Sequence, residues 1–354
     1  MEILDDLQAQ SELDSRGMLK AIRDFPSQCR QAWEAAWPFE LPADYSRIER
    51  IVVLGMGGSA IAGDILRTLL QRECSVPVLN VRQYDLPPYT DERTLVIAAS
   101  FSGNTEETLS AFSRALGRPA KKLAVAGGGE LLSTAQAHGI PVFTYHFEGQ
   151  PRAALGWNLM PLLAIARRLG LMPGVDRDLQ EALAVMEQVQ EEIGEDVPSP
   201  GNRAKQIARR LFGKMPVIYG SGVLTEAAHR WKTQLNETAK VWCFYEELPE
   251  ANHNSMVGYE RPVDVALSVA AVFLDTDLAH PRIRLRCQFT QQLLQKAGAD
   301  VLTVAGRGHS ALAQVLSTVL FGDYVSYYLA ILNGVDPSAT VPIDNLKAWL
   351  AQQK

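Results

Sequence analysis

Two segments of this chain open in the same way. Residues 51–66, IVVLGMGGSAIAGDIL, predict a buried strand, a glycine-rich turn and a helix. Residues 217–230, VIYGSGVLTEAAHR, predict the same unit again. A repeated strand–turn–helix unit points to a duplicated α/β chain, two domains each built on a parallel sheet with helices on both faces. Turns of this kind are also anion sites. Glycines let backbone N–H groups approach a negative charge, and a helix N-terminus favours it. In the first copy those glycines are Gly57 and Gly58, followed by Ser59.

Length agrees with duplication. At 354 residues the chain is longer than one core fills, so two domains are expected, 41–195 and 205–354, behind a helical lead-in at 1–40. Hydrophobic residues make up 47%, enough for two cores and too many for disorder. A net charge of −6 argues against a nucleic-acid or membrane surface, though it leaves room for a local basic pocket. Cys29, Cys74, Cys243 and Cys287 lie far apart, with no paired spacing, which suits a reducing cytosol. The N-terminus, MEILDDLQAQSELD, is acidic and polar, unlike a signal peptide. No stretch reads as a membrane span; the longest candidate, 265–274, has the length of a buried strand.

Short apolar runs recur at 51–54, 76–81, 95–99, 123–126 and 142–145, with helical patterns between most of them. Helices are also expected at 157–171 and 178–193. The stretch 191–203, EEIGEDVPSPGNR, is the best linker candidate. The scheme then repeats with runs at 217–219, 241–245, 265–273 and 301–304, and helices at 311–332 and 344–353 close the chain. Trp33 and Trp37, at helical spacing, are expected to pack on the first domain.

The polar residues that could carry chemistry cluster after the strands. The loop SFSGNTEET, from Ser100 to Thr108, places Ser100, Ser102, Asn104 and Thr105 ahead of a helix. Hydroxyls and amides there make a phosphate cradle without lysine or arginine. An N-cap with Asn104 and Glu107 in capping-box spacing fits equally and is compatible with it. In GMGGSA the last glycine of a dinucleotide fingerprint is replaced by Ala60, and no Walker lysine follows. Glu237 ends the second repeat's helix, where the dipole disfavours a carboxylate, and His253 follows in a polar loop. The two could share proton transfer if folding or a partner subunit joins them; otherwise they are a helix-end charge and a surface histidine. Arg152 could stabilise an oxyanion, whereas Lys347 reads as a solvated face residue. The other histidines show no metal-ligand spacing, and a dinucleotide site is open but not favoured.

Together these motifs resemble the bifunctional phosphoglucose/phosphomannose isomerases, proteins of the sugar isomerase (SIS) domain class. The resemblance spans residues 45–350 through five segments in order: VVLGMGGSAIAGDIL; SFSGNTEETL, where Phe101 replaces a more usual tyrosine; PRAALGW; NETAK with PEANHNSMVGYE; and VPIDNLKAWL. Residues 1–40 and 181–210 match less well. The resemblance implies that Ser59, Ser100, Ser102 and Thr105, with the Gly57–Gly58 turn, hold the phosphate of a hexose 6-phosphate. It implies Glu237 as the base moving a proton between C1 and C2, with Arg152 stabilising a cis-enediolate. His253, from the neighbouring subunit of a homodimer, and Lys347 would assist ring opening, and Thr340 would admit either C2 configuration. It implies a cytoplasmic enzyme of glycolysis and gluconeogenesis, needing no cofactor. A non-catalytic sugar-phosphate-binding SIS protein, or an isomerase of another phosphosugar, is the alternative.

Overall fold

In the computed structural model, which describes residues 3–353, both repeated segments form strand–turn–helix units. Three helices lead in: α1 (Leu7–Leu13), α2 (Met18–Arg23) and α3 (Phe25–Ala36). There follow β1 (Arg50–Leu54), α4 (Gly57–Glu73), β2 (Val78–Val81), β3 (Thr94–Ser100), α5 (Glu106–Leu116), β4 (Lys121–Ala126), α6 (Gly129–Ala137) and β5 (Val142–Thr144). Three helices, α7 (Leu155–Arg168), α8 (Val175–Ile193) and α9 (Arg203–Leu211), lead to the second half. That half runs β6 (Met215–Ser221), α10 (Thr225–Glu237), β7 (Phe244–Leu248), α11 (Val263–Ser268), β8 (Val269–Asp275), α12 (Pro281–Lys296), β9 (Asp300–Ala305), α13 (Ala311–Leu332) and α14 (Val341–Leu350).

Both sheets are parallel, in the orders β2-β1-β3-β4-β5 and β7-β6-β8-β9. The strand order therefore reverses at β1/β3 and again at β6/β8. Ligands of open α/β sheets bind beyond the carboxyl ends at such a switch point. The continuous apolar runs follow from burial on both faces. Ile51 and Val53 join a core that extends through α7, α8 and α13 to the second sheet, while Val52 and Leu54 face a separate core under α5 and α6.

Several sequence expectations need correction. The run 265–273 is divided: α11 ends at Ser268, whose hydroxyl bonds back to the Asp264 carbonyl, and the strand starts at Val269. Residues 241–243 turn back onto α10, with Val241 N–H bonded to Leu235 O and Asn236 to Val241 O, so β7 begins at Phe244. Among the described residues, one helix does have the length and apolarity of a membrane span: α13 has a mean hydropathy of 1.5 over its most apolar stretch. That stretch is 89% buried between α8, α9 and α10, as the central helix of a globular core.

The 191–203 stretch is tied down. Fully buried Lys205 donates to the Glu195 and Val197 carbonyls and pairs with Asp5, while Asn202 caps α9 and donates to Ile193 O. Helix α8, which precedes it, packs along α13, so the halves share one core. A charged seam also joins them. Arg67 on α4 pairs with Glu226 on α10, His229 Nδ1 lies 3.2 Å from Glu226, and Asp64 pairs with Arg82. The Trp33 and Trp37 rings pack with centroids 5.9 Å apart, and α3 lies along α7, with the Arg167 guanidinium over Trp37.

Candidate active site

The turns after β1 and β3 lie side by side at the first switch point. Met56 is the extended N-cap of α4, and Gly57 turns the chain with φ 51°. The first N–H groups of a helix have no intrahelical carbonyl, which leaves the Gly57 and Gly58 amides for an anion. No acidic side chain lies in this first turn. Ser59 is buried in the helix, and its hydroxyl is bonded to Asn158 Oδ1 at 3.1 Å, which also accepts from Tyr145 OH. Its hydroxyl thus ties the turn to α7, while the backbone of the turn keeps N–H donors that an anion could take.

The second turn is held from both ends. Ser100 Oγ accepts from Gly103 N at 3.0 Å and lies 2.9 Å from Thr105 Oγ1. Ser102 is exposed, accepting only from Asn104 N. The capping box between Asn104 and Glu107 is not formed. Thr105 is the N-cap, and Asn104 Oδ1 instead accepts from Glu130 N at the start of α6. Gly103 is needed here: its φ is 69°, and a Cβ would fall 1.7 Å from the Gly128 carbonyl oxygen.

Arg152 joins these turns to the second half. It lies in the short turn Pro151–Ala153 before α7 and is 5% exposed. A Cβ on Gly58 would sit 3.3 Å from Pro151 O and 3.9 Å from Arg152 Cα, so the glycine turn and the arginine turn touch. The guanidinium donates to Pro337 O (2.5 Å), Ser338 O (3.0 Å) and Thr238 Oγ1 (3.3 Å). Its Nη1 lies 3.8 Å from Glu237 Oε2. Burial pulls the Arg152 guanidinium below its ordinary value, Glu237 opposes this, and Arg230 adds to it. Arg230 donates to the Arg152 carbonyl and is paired with buried Asp323 at 2.8 Å.

Glu237 is the last residue of α10, and its side chain is 32% exposed beside the buried arginine. A partly solvated carboxylate next to a fixed cation can take a proton from carbon while the cation holds the oxygen charge that develops. The structure thus brings the two polar turns, Arg152 and Glu237 into one region. It does not bring His253 or Lys347 to them within one chain. His253 is exposed at the end of the short turn Glu250–His253, and Lys347 is exposed on α14, a helix without a buried residue. Thr340 is the half-buried N-cap of α14.

Three side chains and two carbonyls were not legible as participants: Asn158, Thr238, Lys240, whose Nζ donates to Glu237 O at 2.6 Å, and the carbonyls of Pro337 and Ser338. Thr238 and Lys240 fall inside NETAK, and Asn158 directly follows PRAALGW, so proximity to those motifs is their only sequence signal. Among the described residues, one cluster with metal-ligand geometry escaped sequence spacing as well: Asp64, Glu226 and His229 offer atoms within 4.8 Å of one another. Both carboxylates already hold an arginine, which satisfies their charge without an ion.

Comparison with known proteins gives this geometry its context. Residues 201–350 match the family described as bacterial phospho-glucose isomerase C-terminal SIS domain. A solved structure of a hypothetical protein from Thermus thermophilus superposes with a TM-score of 0.76 at 16% identity, covering 98% of this chain and 94% of that one. A bifunctional phosphoglucose/phosphomannose isomerase from Aquifex aeolicus is 33% identical over 94% of this chain and 97% of its own. One of the same description from Caldicellulosiruptor bescii is 38% identical over 95% of this chain and 100% of its own. With near-complete coverage from both sides at that identity, the chain belongs to the bifunctional phosphoglucose/phosphomannose isomerase family.

Proposed function

We propose that this protein interconverts glucose 6-phosphate and mannose 6-phosphate with fructose 6-phosphate through a cis-enediolate. The observation that carries the reading is the Arg152–Glu237 pair, 3.8 Å apart, set against the glycine turn at the strand switch point. The Gly57 and Gly58 amides, with Ser102 and Thr105, take the phosphate, which places the sugar's reacting carbons toward the pair. Glu237 removes the proton from C2 of the open-chain aldose and returns it to C1. Loss of that proton places the charge on the C1 oxygen. The C2 hydroxyl proton then passes to that oxygen, so the charge of the cis-enediolate is shared by both oxygens and the C2 oxygen is left as the ketose carbonyl when C1 is protonated. Arg152, fixed by two carbonyls and a hydroxyl, meets that charge without reorganising.

Ring opening needs an acid and a base of its own, and this role falls to His253 and Lys347. Neither reaches Glu237 in a single chain, so the reading includes a homodimer in which the neighbouring subunit supplies His253. An exposed apolar side chain in the turn that follows His253 supports it: Val257 is 87% exposed.

A coupled assay with each hexose 6-phosphate tests the reading. Glu237→Gln keeps shape and removes the base, so kcat should fall by roughly 10²–10⁴, the range for acid–base groups. Binding of the sugar phosphate should persist, and solvent deuterium should cease to enter the product. Near-normal turnover in Glu237→Gln would remove this residue from the mechanism.

A further inference from the structure

The N-terminal helices carry none of the proposed site residues, yet two of their side-chain clusters end on the supports of Arg152. The first is Gln28 on α3, which is 4% exposed. Its Nε2 donates to Ala153 O at 2.9 Å, and its Oε1 accepts from Gly156 N at 2.7 Å. One amide therefore spans the joint between the arginine's turn and α7, and it satisfies an N–H that the helix start leaves open. Gly156 makes room for it, since a Cβ there would lie 2.7 Å from Gln28 Oε1. No side chain of α7's own N-cap does this work.

The second cluster lies between α1 and α2. Ser15 donates to Asp336 Oδ2 at 2.6 Å, and Asp14 Oδ1 accepts from Ser338 Oγ at 3.3 Å. Asp336 in turn takes the Ser338 N–H at 2.8 Å. These bonds hold the loop whose Pro337 and Ser338 carbonyls grip the Arg152 guanidinium. Gln28 thus fixes the arginine's backbone, and Ser15 and Asp14 fix the acceptors at its tip.

We propose that the N-terminal segment positions Arg152 for catalysis, with Gln28 as the main positioning residue and Ser15 as the second. This rests on the role assigned to Arg152 above. A guanidinium that must meet the enediolate oxygens is sensitive to small displacement, because a shift of about 1 Å can cost roughly 10²-fold in rate. The phosphate turns lie on other elements, so substrate binding is not expected to follow.

The test is a double-mutant cycle in the full-length protein, with kcat and KM measured on glucose 6-phosphate below the melting temperature of every variant. Gln28→Leu keeps the volume and removes both hydrogen bonds. It should lower kcat by roughly 10- to 100-fold and leave KM within about threefold. In an Arg152→Ala background the same change should alter kcat by less than about twofold, since it acts through a group no longer present. A loss of equal size in both backgrounds, or an unchanged kcat, overturns the proposal. Should Gln28→Leu melt below the assay temperature, Ser15→Ala carries the test, because Ser15 is exposed and its loss leaves the core intact. A fall in kcat that vanishes in the Arg152→Ala background supports the clamp, and no fall overturns it. Undiminished turnover in Arg152→Ala alone would instead refute the role of Arg152 itself, a separate outcome.

Discussion

Lys240 sits three residues beyond Glu237 in the left-handed region, φ 58°, a conformation that costs a non-glycine residue of order 1 kcal/mol. Its ammonium folds back on the end of α10, donating to Glu237 O at 2.6 Å and to Thr238 O at 3.4 Å. A cation on the last carbonyls of a helix interacts favourably with the dipole. Partial burial, and then the neighbouring Arg152 charge, pull the Lys240 ammonium down to about 8. The depressed value means the protonated form is disfavoured in the folded protein, and the charge is lost as pH rises through that value. The expected consequence is an alkaline limb in the pH–kcat profile near pH 8, where a positive charge beside the Arg152–Glu237 pair disappears. Lys240→Met should flatten that limb and lower the plateau below it. A variant that retains the limb would assign it to another group.

Among the elements, strands and glycine turns were the most legible and long-range polar partners the least. The run 95–99 announces β3 because a strand buried on both faces must be apolar throughout. The turns announce themselves because glycine tolerates both positive φ and close backbone approach. Asn104, by contrast, has a local spacing that fits a capping box, and the competing partner, Glu130 N, lies 26 residues away on α6. No local pattern marks that choice. The same applies to Arg152, whose guanidinium partners lie 86, 185 and 186 residues further along the chain. Residues 241–245 read as a strand because their apolarity is real, but Asn236 draws the first of them into a turn. Gly103 shows how an element depends on its neighbour. Gly103→Ala would drive a Cβ into Gly128 O, separating the Ser100–Thr105 loop from the start of α6. Gly139 is the control, because its φ of 64° is similar and no atom lies within 4 Å of a Cβ there. Both alanines should lower the melting temperature, but only Gly103→Ala should raise KM for hexose 6-phosphates, by roughly tenfold or more for a lost charged hydrogen bond. Equal KM values in the two variants would detach the loop from phosphate binding.

At the scale of the whole molecule, the two halves are bound into one body by the α8–α13 core and the Arg67–Glu226 seam, yet the chain leaves apolar surface uncovered. Helix α14 exposes Val341 at 60%, Leu346 at 55% and Trp349 at 56%, and it carries Lys347 on the same unburied helix. Large apolar surface of this kind marks an association site. The proposed homodimer gives it an occupant and gives the site its missing histidine. This is testable by complementation. Glu237→Gln and His253→Ala proteins are each expected to be inactive, and after mixing and subunit exchange about half of the dimers are hybrids. With His253 acting in trans, one of the two sites in each hybrid combines Glu237 from one subunit with His253 from the other, while its second site lacks both. Turnover should therefore recover to about a quarter of the wild-type value. With His253 acting in cis, every hybrid site lacks one group, and no activity returns although exchange, followed by a mass-tagged subunit, is complete. Recovery near a quarter would also require that Glu237 and His253 belong to one catalytic unit, since two independent defects on separate chains are repaired only when the site draws on both.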